Sequence, residues 1–331
     1  MPADSFRALI AEGNSSAYTA AFKELRDADL PDEEVLIEVQ YSSLNYKDGL
    51  AVTGRGKIIR KFPMVLGIDM AGRVLQSKSP EFCPGEQVLA IGHGFSETRW
   101  GGYTQRERVP AEALIHLPKG LTLPQTMAIG SAGFTSMLCL IALEHHGIKP
   151  GGKEIIITGA AGGVGSTAVA LFAAKGYKVA ASTGRPELHG FLRDLGATTI
   201  VDRAELAQKS PPLASERWAG GIDTVGGQTL ATLLAATEPY GAIAACGLAG
   251  SAELATTVFP FILRNIALLG INSVLTPRPL SIRAWERLAR ELPLDKLDSL
   301  TSTRPLSAIR ELAEEILAGR IRGRVVIDVN A

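Results

Sequence analysis

The chain has 331 residues, 46% of them hydrophobic and 21% charged, with 34 Lys+Arg against 34 Asp+Glu. At roughly 150 residues per domain this predicts two globular domains and excludes a disordered or fibrous chain. The zero net charge argues against a nucleic-acid binder, whose domain carries a basic excess; it leaves room for a local basic patch that takes a phosphorylated small molecule.

Cys83, Cys139 and Cys246 lie far apart and form no CxxC pair. This excludes a disulfide framework and a zinc ribbon, and points to a reducing cytoplasm. Residues 1–16 have no apolar run after a basic start, so no secretory signal is expected. Uninterrupted apolar stretches reach about ten residues, short of the roughly 20 that a bilayer span needs, so no membrane association is expected.

Residues 1–125 hold short β-branched runs at 35–41, 71–75 and 87–91, punctuated by Pro84-Gly85, Gly92, Gly94 and Gly101-Gly102. Short strands at close spacing predict a β-rich, barrel-like unit. Near Leu123 the texture changes. Residues 125–144 lack proline and carry apolar side chains at helical spacing. After the turn Lys149-Pro150-Gly151-Gly152, strands at 155–158, 178–182, 199–201, 222–225, 241–246 and within 263–273 alternate with helices at 163–175, 186–195 and 228–237. Such alternation predicts α/β architecture: a Rossmann doubly wound parallel sheet with crossover helices. Helices at 282–291 and 306–318 and a strand at 324–329 follow. That strand rejoins the β-rich unit in this reading. The expected domains are 1–124 with 275–331, discontinuous, and an inserted nucleotide domain at 125–274.

The strongest local signal is TGAAGGVGS at 158–166, between an apolar strand and a helix. A strict GxGxxG would place glycine at 160, where Ala160 stands; Gly162 and Gly165 fit. Gly162 allows a pyrophosphate to approach the backbone, Gly165 allows close helix–strand packing, and the free N–H groups of the helix start hold the phosphates. Ala161, Gly162, Gly163, Val164 and Gly165 are therefore assigned to the cofactor. A P-loop is excluded because no lysine follows the glycines in GxxxxGK[ST] form. The second strand runs on through Ser182, Thr183, Gly184 and Arg185, with no acid before Glu187. An NAD site places an acid there for the ribose 2′-hydroxyl, whereas a guanidinium neutralises a 2′-phosphate. These residues, with Arg203 as a second cation, predict NADP(H).

The motifs SSLNYKD at 42–48, FPMVLGIDMAG at 62–72, WGGY at 100–103 and ACGLAG at 245–250 join the phosphate loop in a resemblance that spans the chain. Together they resemble the medium-chain dehydrogenase/reductase superfamily, in particular its zinc-free quinone-oxidoreductase-like branch, and within that the bacterial acryloyl-CoA reductase group. The resemblance implies a GroES-like barrel domain around the nucleotide domain. It implies NADPH-dependent reduction of the carbon–carbon double bond of a short enoyl-CoA, acryloyl-CoA to propanoyl-CoA, with an NADPH:quinone oxidoreductase as the alternative. Zinc alcohol dehydrogenases of this fold need Cys and His near Asn45 and residues 67–69, where this chain has Gly67, Ile68 and Asp69, so no metal is expected. A polarised double bond is reducible without a Lewis acid: hydride adds to the β-carbon, charge develops on the thioester oxygen, and the α-carbon takes a proton.

By the same resemblance Asn45, Tyr46 and Asp48 belong to the catalytic wall, with Tyr46 on the nicotinamide and Lys47 ion-paired to Asp48. Leu248, Asn272 and Ser273 line the nicotinamide half. For the CoA phosphates the candidates are Arg55, Lys57, Arg60 and Lys61, and separately Arg320, Arg322 and Arg324, whose spacing of two puts them on one face of an extended segment. A solvated basic face is the alternative for each cluster. The apolar stretch at 265–273 reads as an exposed edge strand, which predicts a homodimer.

Overall fold

The computed structural model describes residues 5–331, and the chain divides into two units. Unit 1 holds residues up to 131 together with 274–289 and 300–331; unit 2 holds 132–273 and 290–299. The breaks thus fall at 131/132 and 273/274, and the segment 290–299 lies with the second unit.

Unit 1 begins with strands β1 (Ser5–Asn14) and β2 (Ala17–Arg26), followed by β3 (Val35–Leu44), helix α1 (Tyr46–Thr53), β4 (Met64–Val65), β5 (Asp69–Ser77), β6 (Gln87–Ile91), β7 (Arg106–Val109) and β8 (Ile115–His116). Helix α2 (Leu123–His146) leads into unit 2. There follow β9 (Glu154–Ile157), α3 (Gly163–Ala174), β10 (Val179–Thr183), α4 (His189–Asp194), β11 (Thr199–Asp202), α5 (Arg203–Leu206) and β12 (Trp218–Asp223). Next come α6 (Gly227–Ala236), β13 (Thr237–Ala245), α7 (Phe259–Arg264) and β14 (Ala267–Gly270). The C-terminal region adds α8 (Arg278–Glu291), α9 (Leu294–Ser299), β15 (Thr301–Pro305), α10 (Ile309–Leu317) and β16 (Arg324–Asp328).

In unit 1, β1 pairs antiparallel with β2 and β4, and a second sheet runs β15-β16-β3-β5-β6-β8 with β7 also on β3. The C-terminal strand β16 lies antiparallel to β3, Val325 opposite Leu44 and Val326 opposite Ser43. This register sets Arg324 beside the start of α1. Inward residues of both sheets, among them Leu9, Ile37, Val39, Met70, Val74, Val88 and Ile327, form one core. Each such side chain contributes roughly 1.5–3 kcal/mol by burial.

In unit 2 all six strands are parallel, in the order β11-β10-β9-β12-β13-β14. Numbered along the chain this is 3-2-1-4-5-6, the Rossmann order, and its switch point lies between β9 and β12. Strand β12 starts earlier than the sequence pattern suggested. Its glycines hide it from a β-branched search, yet they are required: a Cβ on Gly220 would stand 2.6 Å from the Ala242 carbonyl, and one on Gly221 2.5 Å from Ile156. The strand expected within 263–273 is the short β14, which follows the end of α7.

Helix α2 contains the helix expected at 125–144. It spans 24 residues, and its most apolar 18-residue stretch has a mean hydropathy of 1.7 and is 83% buried inside the protein. Length and composition alone would let it cross a bilayer, but its burial is that of a core helix. Gly130 interrupts it with φ 50° and ψ −162°.

Candidate active site

At the switch point of unit 2, three loops are pinned to one another. The left-handed residue of the phosphate loop is Gly159 (φ 57°), where a Cβ would lie 2.3 Å from the Thr224 hydroxyl. Position 160 is not among the left-handed residues, which explains why alanine serves there. A Cβ on Gly165 would lie 2.4 Å from the Gly159 carbonyl, so this glycine brings α3 against the loop as expected. Gly162 caps α3 without any side-chain hydrogen bond. The N–H groups of the first turn, at Gly163, Val164 and Gly165, thus face away from the helix with no side chain competing for them, which fits a pyrophosphate.

Asp223, at the end of β12, accepts from the Thr158 hydroxyl at 2.8 Å and the Gly226 N–H at 2.7 Å. Burial pushes its carboxyl up, and these donors pull it back. Thr224 donates its N–H to the Thr158 hydroxyl at 2.9 Å. Cys246 donates its N–H to the Asp223 carbonyl at 2.9 Å, and Gly247 packs so closely on Thr224 that a Cβ would stand 2.4 Å from its carbonyl. This holds the loop carrying Leu248, whose side chain is exposed. Ser273 is half-buried beyond β14. The sequence reading missed Thr158, Asp223 and Thr224; the available signal was a lone acid closing an apolar strand.

At the end of β10, Ser182 and Thr183 are buried. The Thr183 hydroxyl accepts the Arg185 N–H at 3.2 Å. Gly184, Arg185 and Arg203 are the groups open to solvent. A Cβ on Gly184 would lie 2.3 Å from Arg203 Nε, so the Arg203 side chain lies directly against this glycine. Partial burial lowers the Arg185 pKa; Glu187 opposes the shift and neighbouring Arg203 adds to it. Two cations therefore converge on the strand end where an NAD site places an acid, and a 2′-phosphate fits them.

In unit 1, α1 begins at a buried polar cluster. Asn45 is its N-cap, and Asp48 completes a capping box by accepting the Asn45 N–H at 2.9 Å. Asp48 also accepts from Asn45 Nδ2 at 3.1 Å and the Ile68 N–H at 2.9 Å. Asp69 is fully buried and takes four hydrogen bonds: Ser43 Oγ at 2.6 Å, Asn45 Nδ2 at 3.0 Å, Ser131 N at 2.8 Å and Ser131 Oγ at 2.5 Å. Burial, and second the Asp69 carboxylate, push Asp48 up to about 7, against the pull of its three N–H bonds.

Arg324 faces these carboxylates. It donates to Ala128 O at 2.7 Å, Leu44 O at 3.3 Å and Asn45 Oδ1 at 3.1 Å, and its Nη2 is buried with no hydrogen-bond partner among the described residues. Burial lowers its pKa, while Asp69 and Asp48 hold it up. This corrects the expectation that Arg324 serves the CoA phosphates with Arg320 and Arg322. It is only 2% exposed, and Gly323 (φ 64°) breaks the extended run on which the spacing argument rested. Arg320 and Arg322 are exposed.

Tyr46, the first residue of α1, has 48% of its surface exposed. Lys47 pairs with Glu97 rather than with Asp48, since Asp48 points inward. Arg55, Lys57, Arg60 and Lys61 are exposed along the stretch after α1; Arg55 is paired with Glu314 at 2.7 Å. Asp69, Ser43 and Ser131 escaped the sequence reading, although an acid inside the apolar run Gly67–Gly72 marked the place. Among the described residues, no three or more His, Cys, Asp or Glu side chains gather as metal ligands.

Residues 31–119 match the alcohol dehydrogenase GroES-like domain, and residues 163–290 match the zinc-binding dehydrogenase domain. The chain is 49% identical to acrylyl-CoA reductase AcuI of Ruegeria pomeroyi, covering 98% of this chain and 100% of that protein. It is 40% identical to putative quinone oxidoreductase YhfP of Bacillus subtilis, covering 97% and 98%. The crystal structure of the yhdH oxidoreductase from Salmonella enterica in complex with NADP superposes with a TM-score of 0.95 at 47% identity, over 97% of this chain and 99% of that one. A barrel unit and a dinucleotide-binding unit of these two kinds define a nucleotide-dependent oxidoreductase. The chain belongs to the medium-chain dehydrogenase/reductase superfamily.

Proposed function

We propose that this protein is an NADPH-dependent reductase of a short enoyl-CoA, converting acryloyl-CoA to propanoyl-CoA. The observation that carries the reading is full-length similarity at 49% identity to an acrylyl-CoA reductase. The paired Arg185 and Arg203 support the choice of NADP(H). NADPH supplies the hydride when bound. The chain holds the pyrophosphate at the α3 N-terminus and the 2′-phosphate at Arg185 and Arg203. Tyr46 forms the active-site wall against the nicotinamide in this reading, with Asn45 and Asp48 fixing the turn that carries it. Arg55, Lys57 and Arg60 take the CoA phosphates. The reaction runs without zinc: at the positions where zinc relatives place Cys and His, the donor set here is amide and carboxylate, and Asp48 and Asp69 are already saturated by N–H and O–H donors.

We further read the protein as a cytoplasmic homodimer. The cysteine usage supports the first point. The unpaired edge of β14 and the exposed Val258, Phe259, Ile262 and Leu263 on and beside α7 support the second.

The test is the initial rate of NADPH oxidation with acryloyl-CoA and, in parallel, with benzoquinone. A kcat/KM ratio of about a hundredfold or more for acryloyl-CoA is expected. The opposite ratio would leave a quinone reductase, as the name of the Bacillus relative suggests.

A further inference from the structure

Glu97 has no part in the roles assigned above. It lies in the loop between β6 and β7, with its side chain 14% exposed. Its carboxylate takes the ammonium of Lys47, the second residue of α1. Its other oxygen lies 3.9 Å from Arg60 Nε, and its carbonyl accepts the Arg60 N–H at 2.8 Å. One residue thus grips both ends of the segment 47–60: the turn that carries Tyr46, and the stretch that carries the exposed cations.

The loop around Glu97 is built at a cost. His93 (φ 46°) and Ser96 (φ 64°) are left-handed despite their side chains, as are Gly92 and Gly94. The Gly94 carbonyl accepts from the N–H groups of Glu97, Thr98 and Arg99 at 3.1, 2.9 and 3.0 Å. Ser96 Oγ is buried with no hydrogen-bond partner among the described residues. Non-glycine residues persist in this region only where the surroundings over-determine them, and they cluster at functional sites. The loop is therefore a rigid platform, and the side chain it presents is Glu97. Tyr46, by contrast, takes its direction from the backbone of the first α1 turn. That turn is held on its inner side by Asn45 and Asp48 and on its outer side by Lys47.

We infer that Glu97 is a positioning residue for the reaction: through Lys47 it fixes the first turn of α1 and so aims Tyr46. The inference rests on the proposed place of Tyr46 in the active-site wall. Its test compares Glu97→Gln, Glu97→Lys, Lys47→Glu and the swapped pair Lys47→Glu/Glu97→Lys with wild type. Each is assayed on whichever acceptor wild type turns over faster, acryloyl-CoA or benzoquinone, so failure of the acyl-CoA reading is recorded separately by the wild-type rates.

Glu97→Gln is expected to lower kcat about tenfold, with KM for NADPH within about twofold, because misaimed groups cost rate rather than cofactor binding. The melting temperature should stay within about 2 °C, since a partly exposed ion pair contributes little to stability. The swapped pair should recover most of the kcat that each single reversal loses. A Glu97→Gln kcat within about twofold of wild type overturns the inference. So does a loss of kcat that tracks a loss of melting temperature and is not recovered by the swap.

Discussion

Ser131 donates both its N–H and its hydroxyl to the Asp69 carboxylate, at 2.8 and 2.5 Å. It does so because α2 breaks at the residue before. Gly130 leaves the helical region with φ 50° and ψ −162°, which turns the next backbone N–H away from the helix axis and onto Asp69. A Cβ at 130 would stand 2.6 Å from Arg324 Nη2, 2.7 Å from Asp69 Oδ2 and 3.0 Å from Ser43 Oγ. Gly130→Ala therefore meets both a disfavoured backbone conformation and three buried polar atoms, two of them, Asp69 Oδ2 and Ser43 Oγ, already fixed by hydrogen bonds. It should destabilise by about 2 kcal/mol or more. Urea denaturation followed by tryptophan fluorescence measures this. A midpoint equal to that of wild type would mean the cluster yields to a methyl group.

The cofactor preference should rest on Arg185 and Arg203. Both stand at the carboxyl end of β10, Arg203 against Gly184 and Arg185 next to it. Replacing both with alanine should weaken NADPH binding about tenfold to a hundredfold and leave NADH binding within about threefold, because only NADPH carries the 2′-phosphate. Fluorescence titration of both nucleotides gives the two dissociation constants. Equal losses for the two nucleotides would place the arginines elsewhere than at the 2′-phosphate.

The doubly wound sheet was legible because strand–helix alternation is a local pattern, and TGAAGGVGS marked the phosphate loop from sequence alone. What stayed hidden depends on pairing across long separations. Arg324 read as one of three alternating surface arginines. Its true place follows from β16 lying antiparallel to β3, 280 residues away by the numbering of its bond to Leu44. Lys47 read as the partner of its neighbour Asp48. A capping box turned Asp48 inward, and Glu97, 50 residues on, took the lysine. Asn45 and Tyr46 were singled out by resemblance. The carboxylate beneath them, Asp69, lies inside a motif yet stays hidden in the sequence, since nothing local shows that a buried acid will find four donors.

The subunit interface has a direct test. Among the described residues, strand β14 is paired only with β13, and Ile262 and Leu263 of the preceding helix α7 are 68% and 62% exposed. If the edge joins a second copy, Ile262→Asp places an unpaired charge in an apolar contact, at a cost of several kcal/mol. Light scattering on a size-exclusion column should then show 70 kDa for wild type, twice the 35.0 kDa chain, and a monomer for the variant. A monomeric wild type would leave these residues as a patch for some other contact.

The buried cluster of unit 1 makes stability depend on pH in one direction. Two carboxylates face one guanidinium, so the cluster is neutral only when one carboxylate keeps its proton. Asp48 is the one that keeps it, raised to about 7 by burial and then by Asp69. An unfolded aspartate titrates near about 4. The folded state thus binds more protons between these values, and the stability that protonated Asp48 contributes is complete below about pH 4 and is lost as pH rises through about 7. Each pH unit in that window costs up to about 1.4 kcal/mol from this group. Asp48→Asn removes the titration while keeping one acceptor oxygen for the α1 N-terminus. The melting temperature of wild type minus that of Asp48→Asn should therefore fall steadily from pH 5 to pH 7 and level off above about 7.5. Glu107, a second buried acid raised well above its usual range by burial, is present in both proteins and cancels in the difference. A difference that stays flat from pH 5 to pH 8 would show Asp48 ionised throughout, its three N–H donors outweighing burial and Asp69.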